Sequence, residues 1–375
     1  MSAPWPEELP HGFEFEQYKL LDCIWRGSVA SIYRAESSAH GVVALKVFNP
    51  AKTEKRSSKR RLSKRARSAS VRHPNLAAVL ASGEWQERAY VASEWLDGCD
   101  LEDYLDRFGA MSEEEVAELG LHLIAGLMSL HNAGALHRDI KPSSIFLCNG
   151  PDGDVIPKLL LSELPSFSGI NGPVDSTTRQ VAVSTPAYLA PEAIRARDAG
   201  PAADQYSVCA VLYECAVGHP PFQGDSLLDL LRAMAVGTIE PPRAVRPELS
   251  EALETAILRG LRAEASERFE SLRDLGQALW PIVSEPAREP WARSFGGAAP
   301  SDESSGHRRL ALPAKARTTM AKRPSKRWVL AASIAFSIGA GAVYLYSLRS
   351  GSAAAPSPPA VESSPTSASG QRVQF

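Results

Sequence analysis

Residues 137–146 read HRDIKPSSIF, in which one carboxylate, Asp139, stands between the cations Arg138 and Lys141. An aspartate in such a setting is a candidate for proton handling in catalysis. The position five residues after Asp139 is Ser144. Whether Asp139 works as a base depends on the groups that the rest of the chain supplies.

The composition is that of a folded cytosolic protein. The 375 residues are 44% hydrophobic, which is enough for one large core or two ordinary ones. The formal net charge of −2 favours neither nucleic acid nor another highly charged partner. Five cysteines without a CxxC pair argue against a disulfide framework and against a zinc site. Residues 1–17 form an acidic N-terminal extension without the features of a signal peptide, so we expect the following domain to be cytoplasmic.

The first 283 residues show two sequence patterns, one typical of strands and then one typical of helices. Up to about residue 95, β-branched and aromatic stretches such as SIYRAES and VVALKVF alternate with turns, which predicts a small sheet. Helical spacing dominates afterwards: Ser112 and Glu115 form a capping box, apolar residues follow at helical intervals, and Gly134 suits the helix end. A strand-rich lobe followed by a helix-rich lobe is an α+β arrangement.

The composition changes after residue 283. Residues 284–327 are rich in Gly, Ser, Pro and Ala and lack periodicity, which predicts a disordered juxtamembrane linker. Residues 328–348 carry no charge and are long enough to cross a bilayer as a helix. Basic residues precede this run, and positive-inside bias puts that side in the cytoplasm. We therefore predict a single-pass cell-membrane protein with a short disordered tail, 349–375, outside.

Seven landmarks in a fixed order resemble one family. They are VALK (43–46), HPN (73–75), HRDIKP (137–142), STPAYLAPE (184–192), DQYS (204–207), GHPPF (218–222) and ERF (267–269). Over residues 18–283 the chain resembles the bacterial serine/threonine protein kinases of the eukaryotic-like (Hanks) type, which often carry a single membrane helix. The resemblance implies a two-lobed protein-kinase-like fold, with a small β-rich lobe before a larger helical lobe. This order agrees with the strand-like and helix-like sequence patterns.

The resemblance implies an ATP site in the strand lobe. Lys46 would pair with the phosphates, and the backbone at Gly27 would approach them. Ala44 would lie over the adenine. The backbone of the hinge residues Glu94 and Leu96 would read the adenine edge.

Two supports of this ATP site depart from the family pattern. The loop GxGxxG reads WRGSVA at residues 25–30, so only the central glycine remains, and Trp25 would obstruct the site or pack over it. Lys64 stands where the family has the glutamate that orients Lys46, and like charges cannot form that ion pair. Lys64 belongs to a basic run, 52–72, that is either a solvated helix face or a surface for anionic lipid or a phosphorylated partner.

Both magnesium ligands of the family are missing. Ser144 replaces the asparagine of the catalytic loop. In KLLLSELPSF (158–167), the position of the metal-binding aspartate falls on Leu161, or on Ser162 after a slip of one residue. Glu163 is the nearest carboxylate and a candidate substitute ligand. The resemblance therefore leaves magnesium binding without its usual ligands.

The residues that stabilise the fold in this family are present in the chain. By resemblance, Glu192 pairs with Arg268 inside the helical lobe, and Asp204 holds the backbone of the catalytic loop. Asp139 and Lys141 would then persist as remnants of a folded loop rather than as working catalytic groups.

The main hypothesis is a membrane-tethered pseudokinase that binds or regulates protein partners such as an active kinase. One alternative is an active, atypical ATP-dependent Ser/Thr protein kinase with Asp139 as base and Glu163 as metal ligand. A weaker alternative is a module that binds anionic lipid through residues 52–72.

The sequence also indicates a surface for self-association within the span. Small residues recur every four positions there, which would allow two helices to approach closely. They are Ser333, Ser337 and Gly341.

Overall fold

The structure is a computed structural model, which describes residues 9–27, 30–48, 71–86, 88–150, 154–161, 186–194, 199–285, 287–296, 310 and 312. Several predictions lie outside these residues: those on Lys64 and most of the basic run, Ser162, Glu163, the span 328–348 with its small residues, and the tail 349–375. In the part of the chain that is described, no helix combines the length and the apolar character that crossing a membrane requires.

The strand lobe is one six-stranded antiparallel sheet with the order β1-β2-β3-β4-β6-β5. Its strands are β1 (Glu14–Phe15), β2 (Tyr18–Arg26), β3 (Ala30–Ser37), β4 (Gly41–Phe48), β5 (Val79–Trp85) and β6 (Arg88–Glu94). Because successive side chains of a strand point to opposite faces, Tyr33, Val43 and Leu45 fall together in an apolar cluster on one face. Leu9 and Phe15 are buried in this outer cluster, so part of the N-terminal extension belongs to the lobe.

The helical lobe is built around two buried helices, α2 (Glu113–Asn132) and α4 (Pro201–Val217). The predicted capping box at Ser112 and Glu115 is present, and Gly134 follows the helix end with a φ of 72°. The other helices are α1 (Leu101–Phe108), α3 (Pro191–Ile194), α5 (Leu227–Val236), α6 (Pro242–Val245), α7 (Glu251–Gly260), α8 (Leu272–Leu279) and α9 (Ala292–Phe295).

A second, three-stranded sheet lies between the lobes in chain order: β7 (Gly98–Asp100), β8 (Ile145–Asn149) and β9 (Val155–Leu159). Its strands pair antiparallel in the order β7-β8-β9. β8 follows the catalytic-loop stretch directly, and β9 leads into Leu160 and Leu161. The two-lobed α+β prediction is confirmed.

The core of the helical lobe takes in residues beyond the predicted domain boundary at residue 283. Trp291 and Phe295 are 1% and 2% exposed, and Leu310 and Leu312 are also buried in the core of the helical lobe. Residues from 287 to 296 form a short 3₁₀ turn and α9 instead of a disordered linker. Few large apolar residues hold the segment in a stretch of mostly small and polar ones, so composition alone hides them.

Candidate active site

Two predicted nucleotide-binding residues, Ala44 and Lys46, lie on the inner face of the strand lobe, which is the face opposite the outer apolar cluster. The register of the sheet pairs Lys46 with Ile32 on one side and with Val91 on the other. Cross-strand partners share a face, so these side chains lie together with Ala44, two positions along β4 from Lys46. The Nζ of Lys46 lies 5.5 Å from the ring centroid of Phe48, which places the cation over an aromatic face.

A small apolar cluster covers the same inner face. Its buried members are Ala30, Phe48, Val79 and Val91, and Trp25 packs against it. The Trp25 ring lies over Gly27: a Cβ built on Gly27 would fall 2.2 Å from Cη2 of the ring. Trp25 therefore packs over the surviving glycine, in the loop that should approach phosphate.

The hinge carries an ion pair that ties it to the other lobe. The Glu94 carboxylate accepts hydrogen bonds from Nζ of Lys158, at 2.7 Å, and from the backbone N–H of Ala78, at 2.7 Å. Leu96, further along the hinge, is half-buried. The ion pair joins β6 to β9 across 64 residues of chain, and no local sequence pattern predicts it.

The carboxylate of Asp204 holds the backbone of the catalytic loop through hydrogen bonds. Its carboxylate accepts the backbone N–H groups of His137 (2.9 Å) and Arg138 (2.8 Å) and the Nε2–H of His131 (2.8 Å). Burial by itself would raise the pKa of Asp204, but the His131 hydrogen bond and the neighbouring histidines outweigh it and hold the pKa below its usual value. These bonds also support Arg138, whose φ of 65° lies in the left-handed region.

Asp139 and Lys141 lie together in this loop. Nζ of Lys141 is 3.3 Å from a carboxylate oxygen of Asp139, and both side chains are about one fifth exposed, at 20% and 23%. The Ser144 hydroxyl is engaged with the main chain of Lys141: it donates to the Lys141 carbonyl (2.9 Å) and accepts the Lys141 N–H (3.0 Å). Ser144 therefore closes the 3₁₀ turn Pro142–Ser144 and is buried at 4% exposure.

Leu161 lies at the junction of the lobes. Its side chain packs against the inner-face cluster of the strand lobe and against the core of the helical lobe. The residue before it is fixed by the catalytic loop, because the Leu160 carbonyl accepts Nε2–H of His137 at 3.0 Å and the Leu160 N–H donates to the Ser144 carbonyl at 2.8 Å. The aliphatic side chain of Leu161 therefore joins the two cores.

The predicted architectural pair is also present. The Arg268 guanidinium binds both carboxylate oxygens of Glu192, at 2.8 and 2.9 Å, with its own side chain fully buried. Its remaining hydrogen bonds go to backbone carbonyls, those of Ala202, Arg262 and Ala263. The pair anchors α3 to the loop before α8.

The comparison with known families agrees with this geometry. The profile of the protein kinase domain matches residues 18–280, the larger part of the chain. The chain belongs to the protein kinase family.

Relatives of this kinase domain include bacterial serine/threonine-protein kinases. PknH of Mycobacterium tuberculosis is 27% identical over 282 residues, which cover 74% of this chain and 44% of PknH. PknE of Mycobacterium bovis is 30% identical over 275 residues, 72% of this chain and 47% of PknE. The match thus spans less than half the length of these curated relatives.

Solved structures show the same fold. The kinase domain of Mycobacterium tuberculosis PknI is 25% identical and superposes with a TM-score of 0.59, over 74% of this chain and 100% of that domain. Residues 1–466 of Rad53, solved in complex with AMP-PNP, superpose with a TM-score of 0.58 at 21% identity, over 72% of this chain and 66% of the Rad53 chain. The second likeness concerns the fold alone.

The described residues of this kinase domain do not fit the magnesium site that the family implies. Magnesium prefers carboxylate and other oxygen ligands, but Leu161 offers no donor atom and the Ser144 hydroxyl is engaged with the main chain of Lys141. Within the described ranges, no three His, Cys, Asp or Glu side chains come together as a metal-binding group.

Proposed function

We propose that this kinase domain is a pseudokinase, a binding and regulatory module that does not transfer phosphate. The observations that carry the proposal are the packing of Leu161 against the cores of both lobes and the pairing of Asp139 with Lys141. Phosphoryl transfer depends on metal ions that neutralise the developing charge, and neither Leu161 nor Ser144 supplies a free ligand.

The nucleotide half of the site supports a limited role for ATP. Ala44 and Lys46 lie two positions apart on β4, which pairs with the hinge-bearing strand β6, and these residues and the hinge would hold a nucleotide. The Trp25 ring occupies the inner face next to Gly27, so a triphosphate would have to displace it. ATP binding that is weak and independent of magnesium is the expected property.

The module would act on protein partners from the cytoplasmic side of a membrane, held by the span 328–348. Its retained framework, from Asp204 to the Glu192–Arg268 pair, would present the surface of a kinase to an active kinase or to another copy of the chain. Association through Ser333, Ser337 and Gly341 belongs to the same proposal.

One observation favours a second function, an active atypical kinase. Nζ of Lys141 lies 3.3 Å from the Asp139 carboxylate, and Asp204 binds the backbone N–H groups of the two residues before Asp139. In that case Glu163 would have to provide the metal ligand, and Asp139 would accept the proton of a substrate hydroxyl.

The experiment that separates the two is ATP binding to the full-length protein with magnesium and with EDTA. The pseudokinase predicts that the Kd for ATP is the same under both conditions, because the described residues offer the metal no site. The rival predicts tighter binding with magnesium, and that this gain disappears in Glu163→Ala. A magnesium-dependent gain lost in Glu163→Ala would overturn the pseudokinase proposal. Glu102→Ala, on α1, serves as the control for general loss of negative charge.

A further inference from the structure

Residues 287–296 dock on the helical lobe through two aromatic anchors. The Trp291 ring meets the buried His122 of α2 edge to face, with ring centroids 4.9 Å apart. The Phe295 ring lies on the bare backbone of Gly276 in α8, since a Cβ there would fall 2.4 Å from its Cε1 atom. We call residues 287–296, 310 and 312 the strap. Both of its anchors are almost completely buried.

The strap makes a third contact at the outer edge of β9. Leu310 donates its N–H to the Val155 carbonyl at 2.6 Å and accepts the Val155 N–H at 3.4 Å. The far end of the same edge is bonded by the loop 75–77: Leu159 donates to the Asn75 carbonyl (2.8 Å), and Ala77 donates to the Leu159 carbonyl (2.9 Å). The strap and this loop therefore share one strand edge.

Asn75 connects the two groups of contacts. Its side-chain amide donates to Nδ1 of His122 (2.9 Å) and to the carbonyl of Pro157 in the middle of β9 (2.8 Å). Trp291 packs against His122, the side chain to which Asn75 donates. The strap thus reaches β9 directly through Leu310 and indirectly through Trp291, His122 and Asn75.

β9 carries this support into the cleft. It ends at Leu159, and Leu161 follows two residues later with its side chain packed between the lobes. Leu160, which links β9 to Leu161, is also bonded to Ser144 and His137, so β9, the catalytic loop and Leu161 form one connected unit. The strap bonds the edge of this unit at Val155.

We propose that the strap is a built-in coupling device: its docking on α2, α8 and β9 sets the position of Leu161, and its release loosens the junction between the lobes. A pull on the chain beyond residue 312, or a partner that takes the strap, would be transmitted to the cleft through β9. This inference goes beyond the proposed function and holds whether or not the domain transfers phosphate.

Hydrogen exchange of the full-length protein tests the coupling. Gly276→Ala drives a methyl group into the Phe295 ring while it favours the α8 helix, so it displaces the strap without removing a core side chain. Leu310→Pro acts at the other contact by removing the N–H that binds Val155. Both variants should speed exchange of the Leu159 and Ala77 amides about tenfold, with the amides of α4 unchanged.

Two results would overturn the proposal. Faster exchange confined to the strap and Val155 would show a segment that docks without coupling. Equal acceleration of all amides would show global destabilisation. Leu253→Ala, in the core of α7, gives the reference for that second pattern.

Discussion

Removal of the Trp25 ring should strengthen ATP binding. In the native structure the ring is half-buried against Ala30, Phe48, Val79 and Val91 and overlies Gly27. A phosphate group near Gly27 has to displace it, and the free energy of that displacement is subtracted from the binding free energy. In Trp25→Ala this cost disappears.

The burial of the ring sets the size of the effect. A tryptophan buries 150–250 Å² when fully covered, so a half-buried ring loses about 100 Å² of contact on displacement. At about 25 cal/mol per Å², this amounts to about 2.5 kcal/mol. Since every 1.4 kcal/mol is a factor of about ten, the Kd for ATP should fall about 60-fold.

Calorimetric titration of ATP into the full-length protein measures this change. Trp85→Ala is the matched control: Trp85 is also a half-buried tryptophan of the strand lobe, but it packs on the outer face, where its ring centroid lies 4.6 Å from that of Phe15. The reasoning fails if Trp25→Ala leaves the Kd unchanged, or if Trp85→Ala lowers it equally.

Three further predictions concern the framework. Burial raises the pKa of Asp100 to about 7; the native state then holds the proton more tightly than the unfolded state, so stability falls as pH rises from 4 towards 7. Asp100 caps the start of α1, where its carboxylate accepts the N–H of Asp103 at 2.8 Å. Asp100→Asn keeps a capping oxygen and should raise the free energy of unfolding at pH 8 by up to about 4 kcal/mol, a gain that shrinks as the pH is lowered to 5; an equal change at both pH values would contradict this. Arg268→Lys loses the two-pronged contact with Glu192 and should cost about 3–5 kcal/mol by urea titration, against a cost near zero if the pair is dispensable. Ser144→Ala removes both hydrogen bonds to Lys141 and should cost about 1–2 kcal/mol, whereas no loss of stability would mean that the hydroxyl does not close the turn.

The lobes could be predicted from local signals, since capping and strand alternation are visible within a few residues of chain. Ser112 and Glu115 cap a helix within four residues of chain, and VALK lies on a strand whose alternation is visible in the sequence. Asp204 and the Glu192–Arg268 pair were predicted from the resemblance alone, because their partners lie far apart in sequence.

Other features depend on contacts that no local pattern encodes. The Glu94–Lys158 ion pair and the packing of Leu161 between two cores arise only when both lobes have formed. The strap was missed because Trp291 and Phe295 are isolated apolar residues whose partners, His122 and Gly276, lie in two different helices earlier in the chain.

The most direct test of the central claim is phosphate transfer from labelled ATP by the full-length protein, with magnesium or manganese, beside its Asp139→Asn variant. The account predicts that phosphate transfer by the protein does not differ from that by its Asp139→Asn variant. Metal-dependent transfer that disappears in Asp139→Asn would contradict it and would show a working kinase with a rebuilt metal site.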